Sequence, residues 1–345
     1  MKKMLALLLA LVMVLSLAAC ASSQPAAAST ETAETTETTE PAAEESAEAT
    51  AESGKTYTVG VCQLVQHEAL DAATQGFIDA LKEELGDAVT VDVQNASGDS
   101  VNCGTIVNGF VSKGVDLIMA NATPALTAAV SATADIPILG TSITAYGVAL
   151  DIDDFNGTVG GNVSGTSDLA DLQAQAQMIL DWFPETKTVG LLFCSAEPNS
   201  RYQIDEVRKA LEAQGVTCEE FAFTDSNDVS SVTQKAADFS DVVYIPTDNT
   251  AASNTEAIAN VLIPAGVPAI CGEEGLCRGC GVATLSISYY DLGVTTGKMA
   301  AKILKGEADI STMPVEYTDA TPKYNASVCE QLGITPLDGY EAIDG

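Results

Sequence analysis

The chain has 345 residues, with 15 Lys+Arg against 48 Asp+Glu, a formal net charge of −33. So acidic a balance, with no basic patch anywhere, excludes nucleic acid as a partner and leaves anionic lipid repelled. Nine scattered cysteines exclude a small disulfide scaffold.

In chain order, Lys2 and Lys3 precede an apolar stretch that ends in Leu17-Ala18-Ala19-Cys20. A positive start, an apolar run and small residues before a cleavage point read as a signal peptide over 1–19. The ending resembles the bacterial lipobox, which makes Cys20 the lipid-modified first residue of the mature chain. The competing reading is an uncleaved anchor, but residues 4–19 are short for a membrane span. Residues 21–54 contain eight Glu among Ala, Ser, Thr and Pro, and no Val, Leu, Ile or aromatic residue. With no apolar surface to bury, 20–54 is expected to be a lipidated Cys followed by a disordered acidic tether.

From residue 55 the chain alternates strand-like and helix-like segments. YTVGVCQL (57–64) reads as a strand, and 67–85 as a helix whose apolar face repeats at Leu70, Ala73, Phe77 and Leu81. VTVDVQNA (89–96), a helix from Ser100 to Lys113, VDLIMANA (115–122), a helix over 123–134 and IPILGTSI (136–143) complete the first half. A loop-rich stretch follows. The pattern restarts with a helix at 169–183, TVGLLFCSA (188–196) and a helix at 200–215 stopped by Gly215. The second half continues with TCEEFAFT, a helix near 228–238, DVVYIP, a helix near 251–264, VPAICG, GVATLSIS (281–288) and a long helix over 289–306.

The two halves share one plan. VDLIMANATPALTAAV and VVYIPTDNTAASNTEAI both run strand, short polar loop, helix. Strands separated by helices imply parallel sheets with right-handed crossovers. The predicted fold class is therefore α/β, with two doubly wound parallel-sheet lobes joined by a hinge. The first lobe is expected over 55–165, the second over 166–285, and 286–345 as a return segment mostly in the first lobe. In such lobes ligand groups gather in loops at the carboxyl ends of the strands. Those loops hold Gln63 and His67, Thr123, Pro124 and Ala125, Asn199 and Ser200, and Asp248 and Asn249.

Catalysis finds no support. There is no Gly-x-Ser-x-Gly, no P-loop, and GTVGGN (157–162) does not join a strand to a helix. His67 is the only histidine. Cys271 and Cys277-Arg-Gly-Cys280 form one CxxC with a third Cys upstream, and without a second CxxC they read as free thiols or a surface disulfide before a metal site. No metal and no cofactor are expected. Binding is better supplied. Helix starts at Thr123-Pro124-Ala125 and Asn199-Ser200 present free N–H groups that suit a carboxylate. Asp168, Asp248 and Glu273 are acceptors that suit an ammonium. Together these describe a small-molecule zwitterion, an α-amino acid. The competing reading of each polar residue is an ordinary helix cap. His67 could meet ligand or cap its own helix, and Asp248 with Asn249 could hold ligand or only the helix after them.

From about Tyr57 to Ile343 the chain resembles the substrate-binding lipoproteins of ABC importers that have a type I periplasmic-binding-protein fold. The matching stretches are QHEALDAATQGF, ANATPA, IPIL, NVSGTSD, AEPNS, YIPTDN, GEEG and YYDLGVTTGKMAAKILKGE. The resemblance implies a monomeric, extracytoplasmic, lipid-anchored receptor with an ABC permease as partner. It also implies a ligand class, aromatic amino acids such as tryptophan or tyrosine. A sugar or nucleoside ligand, or a sensory role for a partner receptor, are the alternatives. The chain departs from the family pattern at CRGC (277–280), beside Glu273.

Overall fold

The computed structural model describes residues 54–343. The expected leader, the lipidated Cys20 and the tether up to residue 53 lie outside the described residues, as do residues 344–345.

The first half builds a sheet from β1 (Tyr57–Gln63), β2 (Val89–Asn95), β3 (Leu117–Asn121), β4 (Ile138–Ile143) and β5 (Val163–Ser167), all parallel, in the order β2-β1-β3-β4-β5. Between them run α1 (Glu68–Leu85), α2 (Ser100–Lys113), α3 (Thr123–Ala132) and a single turn, α4 (Tyr146–Ala149). The second half begins with α5 (Leu172–Trp182) and forms β6 (Thr188–Cys194), β7 (Thr217–Phe223), β8 (Val242–Ile245), β9 (Ala269–Cys271) and β10 (Ala283–Ser286), in the order β7-β6-β8-β9-β10. Its helices are α6 (Pro198–Glu212), α7 (Val229–Phe239), α8 (Asn249–Ala252), α9 (Thr255–Ala265) and α10 (Glu274–Cys280). The two strand orders are the same, so the repeat visible in the sequence is a repeat of topology.

Most of the central strands are continuous apolar runs because helices cover both faces of each sheet. Leu117 to Asn121 are all buried, as are Val242 to Ile245. Helix α1 turns Leu70, Ala73, Phe77 and Leu81 inward, as its periodicity predicts. It packs on α11 (Tyr289–Lys305) through small residues, with Gly76 against the Tyr290 carbonyl and Gly293 against that of Ala73. A side chain at either glycine would push the two helices apart.

The final segment divides between the lobes. Helix α11 and β11 (Glu316–Tyr317) join the first lobe, β11 beside β5. The chain then crosses back: β12 (Thr321–Tyr324) pairs antiparallel with β10, and α12 (Ala326–Leu332) leads to β13 (Glu341–Ala342) beside β12. Residues 321–343 thus belong to the second sheet, and the chain passes between lobes near Asp168, Ile287 and Thr318. Other departures have local causes. The loop-rich stretch contains β5, whose Val-Ser-Gly-Thr-Ser has no apolar run because Gly165 packs directly on the Gly140 backbone. The helix expected near 251–264 is two, α8 and α9, broken at Ser253-Asn254. Helix α6 ends at Glu212, and Gly215 serves the following turn with φ of +86°. The CRGC segment is helical. Cys277 and Cys280 face the second-lobe core, and with Cys271 they are buried free thiols, so a surface disulfide is not what they form.

Candidate ligand-binding site

At the carboxyl ends of the strands, most polar side chains hold the loops themselves. Gln63 donates to Val65 O at 2.9 Å and Asp71 Oδ1 at 2.6 Å, and accepts from the Thr74 hydroxyl at 2.6 Å. It is therefore occupied inside the first lobe. In the second lobe Glu197 organises the loop after β8. It accepts the N–H groups of Asn249 (3.1 Å) and Thr250 (2.9 Å), the Asn249 amide (2.6 Å) and the Thr250 hydroxyl (2.8 Å). Sequence reasoning passed over Glu197. Its signal is an acid placed before Pro198, which starts α6 without a side-chain cap.

Asp248 belongs to the same scaffold. Its Oδ2 accepts the Cys194 N–H at 2.6 Å and its Oδ1 the Ala251 N–H at 2.8 Å. Burial, then the nearby Glu197 charge, pushes this carboxyl up to about 8. The expectation of Asp248 as a ligand anchor gives way to the capping alternative, because both oxygens are already held by its own lobe. Glu273 goes the same way. It caps α10 by accepting from Gly275 and Leu276 N–H, and burial pushes it up to about 7. Ser200 is fully buried, accepts from the Asn199 amide at 3.4 Å and lies beside the Asp248 carboxyl.

Against this filled background a few polar groups stand free. Asp168 lies just past β5, where the chain leaves the first lobe. It is 5% exposed, its Oδ2 accepts the Tyr289 hydroxyl at 2.8 Å, and its Oδ1 is buried with no partner. Burial raises its carboxyl above the usual range, against the hydroxyls of Tyr289 and Thr144 beside it. A buried carboxylate oxygen without a donor is costly. Asn199 Oδ1 is a second buried acceptor without a donor. Its amide donates to the Thr247 carbonyl at 3.2 Å, which holds the carbonyl end turned away.

Donors come from the neighbouring strand ends of the first lobe. Helix α3 begins at Thr123-Pro124 with no side-chain cap, so its first N–H groups are open. Ala122, before it, has φ of +89° and ψ of 155°, a region held almost only by glycine. That strained turn lets the helix start directly at the end of β3. At the end of β4 the register with β5 shifts between Gly140 and Ile143, and Ser142 there has φ of +56°. The bulge re-aims Ser142, whose hydroxyl is buried without a partner. Ser142 is a candidate that no sequence motif marks. Strand β4 lies between β3 and β5, so Thr123 and Asp168 stand two strand spacings apart, about 10 Å.

The two lobes meet across this region. His67 Nε2 lies 3.2 Å from Asn249 Oδ1, and His67 Nδ1 is buried without a partner. Burial lowers its basicity, so the ring is neutral. A cavity of about 390 Å³ is lined by His67 and Glu68 of the first lobe and by Glu273 and Arg278 of the second, and another of about 440 Å³ lies between Val65 and Pro124 on one side and Glu197 and Asn249 on the other. Among the described residues no cluster of three or more His, Cys, Asp or Glu could hold a metal, and no helix is long and apolar enough to cross a membrane.

The chain as a whole is similar to known proteins. The family model for ABC transporter substrate binding proteins matches residues 58–339. A tyrosine-binding protein of Clostridioides difficile is 33% identical over 276 residues, covering 78% of this chain and 79% of its own. An ABC domain from Streptococcus pneumoniae in complex with L-Trp superposes with a TM-score of 0.79 at 32% identity, covering 84% of this chain and 100% of the other. The ligand-free, open structure of a substrate-binding protein with adhesive properties from Clostridium difficile is also 32% identical. It covers 84% of this chain and 99% of its own, with a TM-score of 0.64.

Proposed function

The chain belongs to the family of ABC transporter substrate-binding proteins, and from that premise we propose that it captures an aromatic amino acid between its two lobes. The observation that carries this reading is the unpartnered Oδ1 of Asp168, buried near an uncapped helix start. One accepts an ammonium and the other donates to a carboxylate, at a spacing an α-amino acid can span with the help of Ser142. Asn199 adds an acceptor from the second lobe. The relatives named for tyrosine and bound to L-Trp support the aromatic class. The better superposition on the L-Trp complex supports taking the bridged cleft as the closed form.

Capture follows from the geometry. An open cleft exposes Asp168 and the α3 N-terminus to water. A zwitterion that satisfies both, and the second-lobe groups as well, favours closure by its differential affinity for that form. Delivery to an ABC permease, attachment to the membrane by lipid on Cys20, an extracytoplasmic location and a monomeric state complete the reading. A thermal-shift panel of the twenty amino acids with common sugars and nucleosides tests it. At about 100 times its dissociation constant a ligand adds about 2.7 kcal/mol, so L-Trp or L-Tyr should raise the melting temperature clearly. A response only to sugars or nucleosides would sink the reading.

A further inference from the structure

The CRGC segment, where the chain departs from the family pattern, places one charged residue between two buried cysteines. Cys277 and Cys280 turn into the core, and Arg278 therefore points out of the second lobe. Arg278 Nε lies 3.0 Å from both Glu68 Oε1 and Glu68 Oε2. Glu68 opens α1 in the first lobe, next to His67. The guanidinium is already oriented within its own lobe, since Nη2 donates to Glu274 Oε1 at 2.8 Å, and Glu274 Oε2 is held by Lys323 at 2.6 Å. That framework depends on no first-lobe residue, so it persists when the lobes part. Only the bonds to Glu68 need closure. Glu68 also sits at the positive end of α1, where its charge is held favourably in either form.

We infer that Arg278 and Glu68 form an interlobe clasp that tunes ligand affinity by stabilising the closed form. The inference rests on the reading that ligand is trapped by closure. A bond present only in the closed form shifts the open–closed balance toward it, and a ligand that binds the closed form gains the same factor. The pair is partly exposed, with Arg278 at 33% and Glu68 at 48% of side-chain surface. Exposed pairs of this kind change an equilibrium about two- to fivefold. The effect should fall mainly on the dissociation rate, because the clasp forms after encounter.

The test uses three variants of the whole protein: Arg278→Glu, Glu68→Arg, and both together. Calorimetry and stopped-flow dissociation with L-Trp and L-Tyr read the affinity, and small-angle scattering without ligand reads the lobe separation. Each single reversal should weaken binding about two- to fivefold and speed dissociation, and the double swap should return to within about twofold of wild type. At about 1 M salt, where charges are screened within about 3 Å, the differences should shrink. Single variants that bind like wild type, or a double swap no better than the singles, would overturn the clasp. If wild type binds neither amino acid, the proposed ligand class fails, and scattering decides the clasp alone. Expanded single variants with a recompacted double swap would then support it, and equal radii of gyration would overturn it.

Discussion

Asn249 faces Glu197 with its amide and His67 with its carbonyl. The Nδ2 group donates to Glu197 Oε2 at 2.6 Å, which leaves Oδ1 to accept from His67 Nε2 at 3.2 Å. That orientation assigns the tautomer: Nε2 carries the hydrogen, and Nδ1 is bare. His67 thus reaches across the cleft, while the N-terminus of its own helix carries no side-chain cap.

Replacing His67 by Ala should therefore act on binding and not on the fold. If ligand is captured by closure, as proposed, this interlobe bond forms with it, and a neutral hydrogen bond of this kind contributes about 0.5–1.5 kcal/mol. Amino-acid affinity should fall about 2- to 12-fold, with the ligand-free melting temperature nearly unchanged. A lowered melting temperature with unaltered affinity would return His67 to a structural role in the first lobe.

Asp248→Ala should do the reverse. It leaves the Cys194 and Ala251 N–H groups buried without an acceptor, and each such group costs about 1–3 kcal/mol. The ligand-free protein should melt several degrees lower, and the affinity of the folded fraction should change little. A large loss of affinity at unchanged stability would restore Asp248 as a ligand anchor.

The buried carboxyls set the pH dependence. Asp248 and Glu273 are pushed up to about 8 and about 7, chiefly by burial. An acid with a raised folded-state value binds its proton more tightly when folded. Its stabilisation is complete below the unfolded value, about 4, and is lost as pH rises through the folded value. His67 has the opposite sign, since burial lowers its folded value, but its contribution ends above the unfolded value of about 6.5. Between about pH 7 and 8.5 the ligand-free melting temperature should therefore fall as pH rises, and Asp248→Asn should flatten the slope. A flat or rising profile in wild type would contradict the assignment.

Much of the fold is legible in the sequence because most strands are covered on both faces and read as unbroken apolar runs. Strand β5 is not, since Val-Ser-Gly-Thr-Ser is buried by close backbone approach at Gly165 and not by side-chain size. The open helix start at Thr123 is also legible, because Pro124 follows and Ala122 offers no cap. What local sequence does not reveal is which carboxylates are free. Asp168 and Asp248 each follow a strand. Asp248 is occupied by an N–H 54 residues away, and Asp168 has one oxygen left over. The same holds for His67 and Asn249, 182 residues apart, which meet only where the two lobes face each other. Ser142 is re-aimed by a bulge that depends on pairing with β5.

The central claim is that Asp168 receives the ammonium of an amino acid, and calorimetry on wild type and Asp168→Asn tests it most directly. The ligands are L-Trp and its analogue without the α-amino group, indole-3-propionate. A charge-assisted hydrogen bond contributes about 1.5–3 kcal/mol. Asp168→Asn should thus weaken L-Trp binding about 10- to 150-fold. It should keep or raise the ligand-free melting temperature, because a buried unpaired oxygen is replaced. Wild type should bind the deaminated analogue weakly, and the variant should bind it no worse. If Asp168→Asn binds L-Trp as wild type does, or wild type binds the two ligands equally, the ammonium does not sit on Asp168 and the account of the site is wrong.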